Sequence, residues 1–566
     1  MTTKFRARKR LTLVLAGATA ACVALGGVAA ADPFGWWAAQ AHPFVTLNDI
    51  AVAGPDGVAR GNVLADDFGA TAVVRTGPLD NPAAGALVVQ PDGTFSFTPT
   101  TKGSHGTVHF TYSATDAVRL FQTNLPPLDT FGSVTISGGS FGSSFAPAPG
   151  RPGYFYGLTD RGPNADSGDG NKVEPDSGVD PAHPAFHPMI GLFQLVGSTA
   201  KSVGQPIVLK DIKGNPYNGL PNTVTKSGIA ASAEKIEDMN GNVLAPDPDG
   251  YDPEGLVVLK DGTFWVSDEY GPYVTHFDKS GKEIERLSPW VTGTPLATDS
   301  PFHNINTAHP LPVELQLRTK NKGMEGLTVT PDGRTLVGIM QSALTEPDLN
   351  GAKTALITTT RIVTIDLKSK AMHEYLYLLD DPANHAGNAV SEITALSSTK
   401  FLVDERDGNV GAGSFKHLYL IDLSGATDVT GTGDAKGYLI NGKSIDAYVG
   451  QAGTAAATKL LEDAGVTPVG KSPYLDMGAV VTQADPSGFF FGHDKIEGVA
   501  TTDDGRTVYL SNDSDFGIDH TNEAVGPYTL HQKTLPNGKV DDGEVLAVDT
   551  SKLPLVLGTV TVTIRY

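Results

Sequence analysis

The fold of this chain is decided by a phrase that begins Asp252-Pro253-Glu254-Gly255-Leu256-Val257-Val258-Leu259, turns at Lys260-Asp261-Gly262, and ends Thr263-Phe264-Trp265-Val266-Ser267-Asp268-Glu269. Two apolar runs of strand length flank an Asp-Gly pair, which favours the tight turn of a β-hairpin. Acidic residues precede the first run and follow the second, so they stand at the end of the hairpin away from the turn. Related phrases recur at 141–164, 323–341, 391–407 and 495–513.

Repeated hairpins of this kind predict an all-β protein built as a β-propeller. In a propeller, blades of about four strands surround a central channel, and polar residues at one end of each blade meet at the channel mouth. Neighbouring phrases are roughly 70 to 110 residues apart, more than the ~40 to 50 residues of a plain propeller repeat. We therefore expect six or seven blades, some of which lack the phrase or carry long insertions.

The beginning of the chain predicts export. A basic start (4–10), an apolar stretch (11–24) and the small residues Ala29-Ala30-Ala31 form the pattern of a signal peptide, 1–31, cleaved near Ala31. The only cysteine, Cys22, lies inside it, so the exported chain would have no disulfides. No other apolar run reaches the ~18 residues of a membrane span. We expect a secreted, extracellular protein without a transmembrane segment.

The chain is acidic, with 63 Asp and Glu residues against 42 Lys and Arg residues and a net charge of −21. Such a surface repels nucleic acids at long range, so we expect no nucleic-acid partner. A phosphorylated substrate would also be repelled unless cations intervene. A protein with this negative charge would therefore require a bound metal ion to act on a phosphorylated substrate.

Residues 43–117 form a separate module in which apolar and polar residues alternate. The run 85–99 shows the period of two expected for half-buried strands, bounded by turns. The pattern predicts a small β-sandwich, and the stretch resembles the cadherin-like and bacterial immunoglobulin-like domains of secreted proteins. In that family, Asp residues such as Asp66, Asp67 and Asp116 bind calcium, although turn Asp residues often serve only as caps. We expect a spacer or attachment domain that contacts the cell wall or surface.

The remaining residues, 120–566, carry five polar patches. In chain order they are Asp160-Arg161-Gly162-Pro163-Asn164, Asp252-Pro253-Glu254-Gly255, Arg318 with Asn321-Lys322-Gly323-Met324-Glu325-Gly326, Asp404-Glu405-Arg406, and Lys495-Ile496-Glu497-Gly498. Together they resemble the family described as having esterase-like activity of phytase, a group of secreted propellers. The resemblance implies a phosphoric ester hydrolase that uses the repeated acids. One phrase departs from the pattern, because it has Ser391-Glu392 without the Glu-Gly pair.

Hydrolysis of a phosphate ester calls for an activated water and for cations that offset the charge of the transferring group. Clustered carboxylates hold hard cations, and an Arg side chain binds phosphate through two parallel hydrogen bonds. The acids expected to be catalytic are Asp160, Glu254, Glu269, Glu325, Glu405 and Glu497. The expected ligands of Ca²⁺, or of another hard divalent cation, are Glu254, Asp268, Glu325, Glu497 and Asp513. The residues expected to bind a small phosphorylated substrate are Arg161, Arg318, Arg406 and Lys495.

The same residues also admit structural roles. A Glu before Gly can accept backbone N–H bonds at a strand entry, and Arg161 and Arg406 can pair with neighbouring acids to hold blades together. His493, next to Asp494, is a candidate proton shuttle. The loop 247–252 has the composition of a cation-binding loop, without the distal Glu of an EF-hand.

The leading functional hypothesis is a secreted, metal-assisted phosphoric ester hydrolase, phytase-like or phosphodiesterase-like, with its site at the channel mouth. No Gly-x-Ser-x-Gly motif stands in the strand-to-helix context of a nucleophile elbow, so a serine-hydrolase scheme is not supported, and the absence of a cysteine from the exported chain excludes thiol catalysis. One alternative is a non-catalytic propeller that binds a carbohydrate, a peptide or a cell-wall component. Another is a calcium-dependent, lactonase-like esterase, which would share the metal but not the basic cluster. The fold alone does not decide between them.

Overall fold

The structure, a computed structural model, describes most of the chain from residue 44 to the last residue. The described ranges are 44–175, 178, 183–222, 234–247, 249–290, 306, 308–380, 382–384, 387–431 and 434–566. The predicted signal peptide, 1–31, lies outside these residues.

The first module is a β-sandwich of two sheets. One sheet has the strand order Asp49–Val52, Gly558–Arg565, Thr107–Thr115, Ala72–Thr76. The other has the order Ala59–Asn62, Thr94–Pro99, Gly85–Val89. The predicted alternation buries one face of these strands, so that Val108, Phe110 and Tyr112 from one strand lie in the core between the sheets.

The last strand of the chain belongs to this sandwich. Gly558–Arg565 pairs antiparallel with Thr107–Thr115 and parallel with Asp49–Val52, and Val562 and Ile564 are buried in the sandwich core. The propeller is therefore inserted between two neighbouring strands of the sandwich. The sequence boundary differs here, because the predicted propeller range, 120–566, includes this strand. An alternating strand has the same sequence pattern in either domain.

The described residues after the sandwich form five four-stranded units, which we call blades 1 to 5; blades 2, 3 and 4 are separate sheets, whereas blades 1 and 5 are joined in one nine-stranded sheet by a parallel pairing of Thr199 with Gln122. Blade 1 consists of Ser144–Pro147, Tyr154–Leu158, Met189–Val196 and Thr199–Ser202. Blade 2 consists of Pro253–Val258, Phe264–Asp268, Tyr273–Phe277 and Glu283–Leu287. Blade 3 consists of Met324–Val329, Thr335–Met340, Thr359–Asp366 and Met372–Leu378. Blade 4 consists of Ala389–Ala395, Lys400–Arg406, Lys416–Asp422 and Gly470–Asp476. Blade 5 consists of Ile496–Thr501, Thr507–Asn512, Glu544–Asp549 and Val118–Gln122.

The first strand of each blade is its inner strand, and these strands form a closed ring. Each contacts the inner strands of the two neighbouring blades, and blade 5 contacts blade 1. All five line a cavity of about 370 Å³ at one end of the channel, with Ala146, Leu256, Leu327, Ile393 and Val499 among its walls. In the part of the chain that the structure describes, the propeller thus has five blades, one for each phrase, where the sequence spacing predicted six or seven.

Insertions account for the wide spacing of the phrases. The helices Ile445–Val449 and Thr454–Asp463 lie between the last two strands of blade 4, and the helix Met477–Ala484 follows that blade. The shorter strands are Asp129–Phe131, Val134–Ile136, Ala165–Asp166, Lys172–Val173, Ile207–Val208, Ile236–Glu237, Leu439–Ile440, Lys443–Ser444, Ile518–Asp519 and His531–Gln532. A search of the described residues finds no helix with the length and hydrophobicity needed to cross a membrane.

The Asp-Gly turns join the inner strand to the second strand of a blade, as predicted. In blade 2, Gly262 has φ +85°, a left-handed conformation that a side chain would strain. Asp261 Oδ1 accepts a hydrogen bond from the amide of Thr263 at 3.0 Å, which closes the turn. Gly333 and Gly505 have the corresponding φ values of +72° and +91°. Because the turns lie at one end of the blades, the acids of the phrases lie at the other end.

Candidate functional site at the channel mouth

A β-bulge in the inner strand places a Glu at the mouth in three blades. The register of the strand pair shifts at Glu254 in blade 2, at Glu325 in blade 3 and at Glu497 in blade 5. A bulge leaves one residue unpaired and changes the direction of its side chain. The following glycine is required by packing: a Cβ on Gly326 would lie 2.6 Å from the backbone nitrogen of Ile393 in blade 4.

Blade 4 has the same bulge with different side chains. Its extra residue is Ser391, and Ser391 Oγ accepts a hydrogen bond from Arg406 Nε at 3.0 Å. The next residue, Glu392, accepts hydrogen bonds from Ser144 Oγ at 2.7 Å and from the amide of Leu327 at 3.1 Å. The departure noted in the sequence therefore replaces a mouth acid with a serine and gives Glu392 a role in joining blades.

The mouth encloses a cavity of about 220 Å³ to which all five blades contribute. Its acidic lining residues are Asp160, Asp252, Glu254, Glu269, Glu325, Glu497, Asp513 and Asp515. Its basic lining residues are Arg161, Lys172, Lys322, Arg406 and Lys495. Asn164, Asn321 and Gln341 add neutral polar groups. The cavity thus brings together nine of the twelve predicted site residues.

Three carboxylates of blade 2 form the centre of the acidic wall. Oxygen atoms of Asp252, Glu254 and Glu269 all lie within 4.8 Å of one another, and the three residues are buried. Burial raises the pKa of Glu254 and Glu269 well above the usual range, and repulsion from the neighbouring carboxylates adds to the effect. We call these residues the carboxylate triad.

Glu325 adds an unsatisfied acceptor beside the triad. Its side chain is buried, and its Oε2 has no hydrogen-bond partner among the described residues. Burial and the charge of Glu497 raise the pKa of Glu325 to about 8. An unpartnered carboxylate oxygen in a polar cavity is costly unless a proton or a ligand engages it.

Three of the predicted cations reach the cavity and are already paired. Arg161 forms an ion pair with Glu234 and donates to Tyr270 Oη at 2.9 Å. Arg406 of blade 4 forms an ion pair with Glu497 of blade 5.

The third cation, Lys495, contacts Asp513 at 2.9 Å and also pairs with Asp515. Arg406 and Lys495 therefore form ion pairs with Glu497 and Asp513, both of which the sequence predicts as metal ligands.

Three predicted site residues lie outside the cavity. Arg318 is buried, and its Nε donates to the carbonyl of Tyr270 at 2.6 Å. Asp268 accepts from the amides of Asp252 at 2.8 Å and Gly271 at 2.6 Å, so it fixes a strand end.

Glu405 also lies away from the mouth, in a polar cluster between strands of blades 3 and 4. It accepts from Tyr377 Oη, from Asn388 Nδ2 at 2.9 Å and from Lys471. Its hydrogen-bonding capacity is thus used within the fold.

Seven polar residues of the cavity are not among the predicted site residues: Asn164, Lys172, Asp252, Asn321, Lys322, Gln341 and Asp515. Asp252 is the first residue of the leading phrase, and Lys322 stands directly before Gly323 in the third. Gln341 closes the second strand of blade 3 at the position where Glu269 follows the second strand of blade 2. Alignment of the phrases places Asp252 with Lys495 and Gln341 with Glu269, which identifies both, whereas Lys322 aligns with Tyr251 and Asp494, which do not line the cavity.

The other candidate ligands have structural partners. His493 lies buried between Asp541, at 2.8 Å, and Glu544, at 3.0 Å, away from the mouth. In the loop 247–252, Asp247 Oδ1 accepts from the amide of Asp249 at 2.8 Å, as in a turn.

In the sandwich, Asp67 and Asp116 also have partners within the fold. Asp67 accepts from the amide of Leu47 at 2.7 Å and from Tyr112 Oη at 2.8 Å. Asp116 pairs with Lys552 at 3.1 Å. These contacts are those of caps and ion pairs.

The fold and this mouth define a β-propeller protein whose polar groups gather at one end of the channel. The chain belongs to the family described as Phytase-like, esterase-like activity of phytase, which matches residues 139–516. Residues 40–124 match a bacterial Ig domain. Both resemblances noted in the sequence are thereby confirmed.

Individual relatives are more distant. An "Uncharacterized secreted protein" of Arthroderma benhamiae is 29% identical over 293 residues, which cover 47% of this chain and 53% of that protein. The chain thus spans about half the length of the curated relative it matches.

Two solved structures are similar at low scores. Virginiamycin B lyase from Staphylococcus aureus is 10% identical, covers 89% of this chain and 99% of its own, and has a TM-score of 0.24. The Cps50 (Swd1) β-propeller domain of Myceliophteria thermophila is 8% identical, covers 72% and 83%, and also has a TM-score of 0.24. Scores of this size support no argument about this chain.

Proposed function

We propose that the chain is a secreted, calcium-dependent phosphoric ester hydrolase that acts on a small phosphorylated substrate at the channel mouth. The observation that carries the proposal is the carboxylate triad, set in a cavity that also contains Arg161, Lys322, Arg406 and Lys495. Family membership supports a hydrolase of esterase type. The secreted relative and the predicted signal peptide support export.

The triad fits a hard divalent cation. Calcium takes oxygen ligands at about 2.3–2.6 Å, so two oxygens on opposite sides of one ion are about 4.6–5.2 Å apart. The oxygens of Asp252, Glu254 and Glu269 lie within 4.8 Å of one another, so all three are close enough together to share one ion. When bound, such an ion supplies charge neutralisation at the phosphoryl group and lowers the pKa of nearby water.

Glu325 has the properties of a proton acceptor in this scheme. Its unpartnered Oε2 and its pKa of about 8 suit it to take a proton from water during attack on phosphorus. A bond forms between the water oxygen and phosphorus, the ester P–O bond breaks, and the leaving alkoxide takes a proton from solvent, to which Glu325 afterwards returns the proton that it accepted. The mouth cations offset the charge that develops on the phosphoryl oxygens.

A second candidate is a calcium-dependent esterase that cleaves carboxylic esters, as in the lactonase-like alternative. It is favoured by one observation: Arg161, Arg406 and Lys495 are paired with carboxylates within the protein. A carboxylic ester is uncharged, so its hydrolysis needs the cation of the triad but not three additional free cations.

The deciding experiment compares four substrates with and without chelator: p-nitrophenyl phosphate, bis-p-nitrophenyl phosphate, phytate and a carboxylic p-nitrophenyl ester. The proposal expects phosphate-ester turnover that chelator removes and calcium restores. Glu325→Gln should lower the rate about a hundredfold, equivalent to roughly 2.7 kcal/mol, whereas Glu392→Gln should retain it. Turnover of the carboxylic ester alone would establish the second candidate. Folded protein that turns over none of the four substrates would refute both.

A further inference from the structure

One cation of the mouth differs from the others in its partner. Lys322 Nζ donates to the neutral side-chain oxygen of Gln341 at 2.6 Å. Within the described ranges no carboxylate lies within ion-pair distance of Lys322, whereas Arg161, Arg406 and Lys495 each have one. Lys322 therefore has no direct ion pair among the described residues, although the carboxylates of Glu269 and Glu325 attract its charge from a greater distance.

The loop that carries Lys322 is held against the carboxylate triad. The amide of Lys322 donates to the carbonyl of Thr319 at 3.0 Å, and Asn321 has φ +50°, which closes a tight turn. The next residue, Gly323, packs on blade 2 so closely that a Cβ there would lie 2.1 Å from the carbonyl oxygen of Glu269. This packing fixes the position of Lys322 relative to the triad.

Gln341 links the ammonium group to the triad. Its Oε1 accepts from Lys322 Nζ, and its Nε2 donates to Glu269 Oε1 at 3.1 Å. The two ends of one amide thus hold a cation and a candidate metal ligand at a set separation. Gln341 is itself buried, so its orientation is restricted by packing.

We propose that Lys322 is the residue that binds the anionic phosphoryl oxygens of the substrate, and that Gln341 is the positioning residue that holds its ammonium group beside the triad. This inference rests on the proposed function and adds to it the group that recognises the anion. A charge without a carboxylate partner is free to form charge-assisted hydrogen bonds with a phosphoryl group. Such bonds are stronger in a partly desolvated cavity than in water.

The test uses inorganic phosphate as the probe. Its affinity is measured by isothermal titration calorimetry on the calcium-loaded full chain and on Lys322→Met, Lys322→Arg and Lys260→Met. Lys322→Met should weaken phosphate binding about tenfold to a hundredfold, as expected for loss of one to two decades per charged hydrogen bond. Lys322→Arg should restore most of the affinity. Lys260 is exposed at the hairpin turn of blade 2, so Lys260→Met controls for loss of one positive charge.

The role of Gln341 is tested by a double-mutant cycle. Gln341→Leu should weaken phosphate binding about fivefold alone and add little in the Lys322→Met background, because it acts through Lys322. An equal additional loss in both backgrounds would overturn the positioning role.

Phosphate affinity of Lys322→Met within twofold of the parent chain would overturn the assignment of Lys322. If Lys322→Met does not fold by circular dichroism, Lys322→Gln is judged by the same criterion. This outcome is distinct from failure of the proposed function, which would appear as absence of chelator-sensitive phosphate-ester turnover in the unsubstituted protein.

Discussion

The channel mouth and the buried network around His493 both concentrate charge, but they balance it differently. At the mouth, the four carboxylates of the triad and Glu325 have one direct ion pair among the described residues, between Asp252 and Arg161 at 3.8 Å. In the network, His493 contacts both Asp541 and Glu544, and Lys533 contacts Asp541 at 3.3 Å. The ion pairs around His493 stabilise the fold, whereas the mouth carboxylates that lack an ion pair are available to a ligand.

The difference has a physical basis. A buried carboxylate with a cationic partner and hydrogen bonds recovers its lost hydration inside the protein, whereas one without a partner does not. Proteins retain such unfavourable groups where function requires them, and stability is lower as a result. Substitutions should therefore have opposite effects on stability in the two regions.

The largest effect on stability is expected from His493→Gln. The substitution leaves the Asp541 and Glu544 carboxylates buried without their shared cation, which typically costs about 3–5 kcal/mol. Urea unfolding measures the change, with His520→Gln on the surface as the control. A loss below about 1 kcal/mol would contradict the view that this network stabilises the fold.

The same substitution has a defined pH dependence. Burial alone would lower the pKa of His493, but Asp541 and Glu544 outweigh it and raise the pKa to about 10. Because the folded pKa lies above the unfolded value, near 6.5, the stabilising contribution is complete below pH 6.5 and decreases as pH rises toward 10. The stability difference between His493→Gln and the parent chain should narrow over that interval.

Calcium should stabilise the protein by binding the carboxylates of the mouth, independently of the network around His493. An ion that binds only the folded state at 100 times its dissociation constant stabilises it by about 2.7 kcal/mol. Differential scanning fluorimetry should therefore show an increase in the melting temperature of the parent chain with calcium. His493→Gln should keep this increase, and Glu254→Gln should lose it. An unchanged increase in Glu254→Gln would exclude the triad as the binding site.

The sequence predicted the hairpin units and the end of the blades at which acids gather. It did not predict which of two adjacent polar residues faces the channel, because neighbours in a strand point to opposite sides and the register is set by pairing. Glu405 and Arg406 illustrate this: only Arg406 reaches the cavity. Among the described residues there are five blades where the sequence spacing predicts six or seven, because insertions, such as the helices between the last two strands of blade 4, lengthen the spacing between phrases.

A smaller effect is expected from Glu392→Gln, which tests an inner-strand Glu whose two carboxylate oxygens both accept hydrogen bonds. Glu392 accepts from Ser144 Oγ and from the amide of Leu327, which joins blades 1, 3 and 4. Replacement of one carboxylate oxygen by an amide nitrogen removes an acceptor from this junction and requires Ser144 Oγ to accept instead of donate, which should cost about 1–2 kcal/mol. Urea unfolding measures the loss, and the rate of phosphate-ester turnover should stay within about threefold of the parent, less than 1.4 kcal/mol.

The smallest expected effect on stability is a gain, and it is expected from Glu325→Gln at the mouth. Glu325→Gln removes a buried carboxylate whose Oε2 has no partner among the described residues, so the calcium-free protein should gain about 1 kcal/mol of stability. Because burial and Glu497 raise the folded pKa of Glu325 to about 8, above an unfolded value near 4.5, the carboxylate destabilises the fold increasingly as pH rises from 4.5 to 8. The gain should accordingly be absent at pH 4.5 and largest at pH 8. Urea unfolding at the two pH values decides the point: a stability loss at pH 8 would show that Glu325, like Glu392, is bound by the fold.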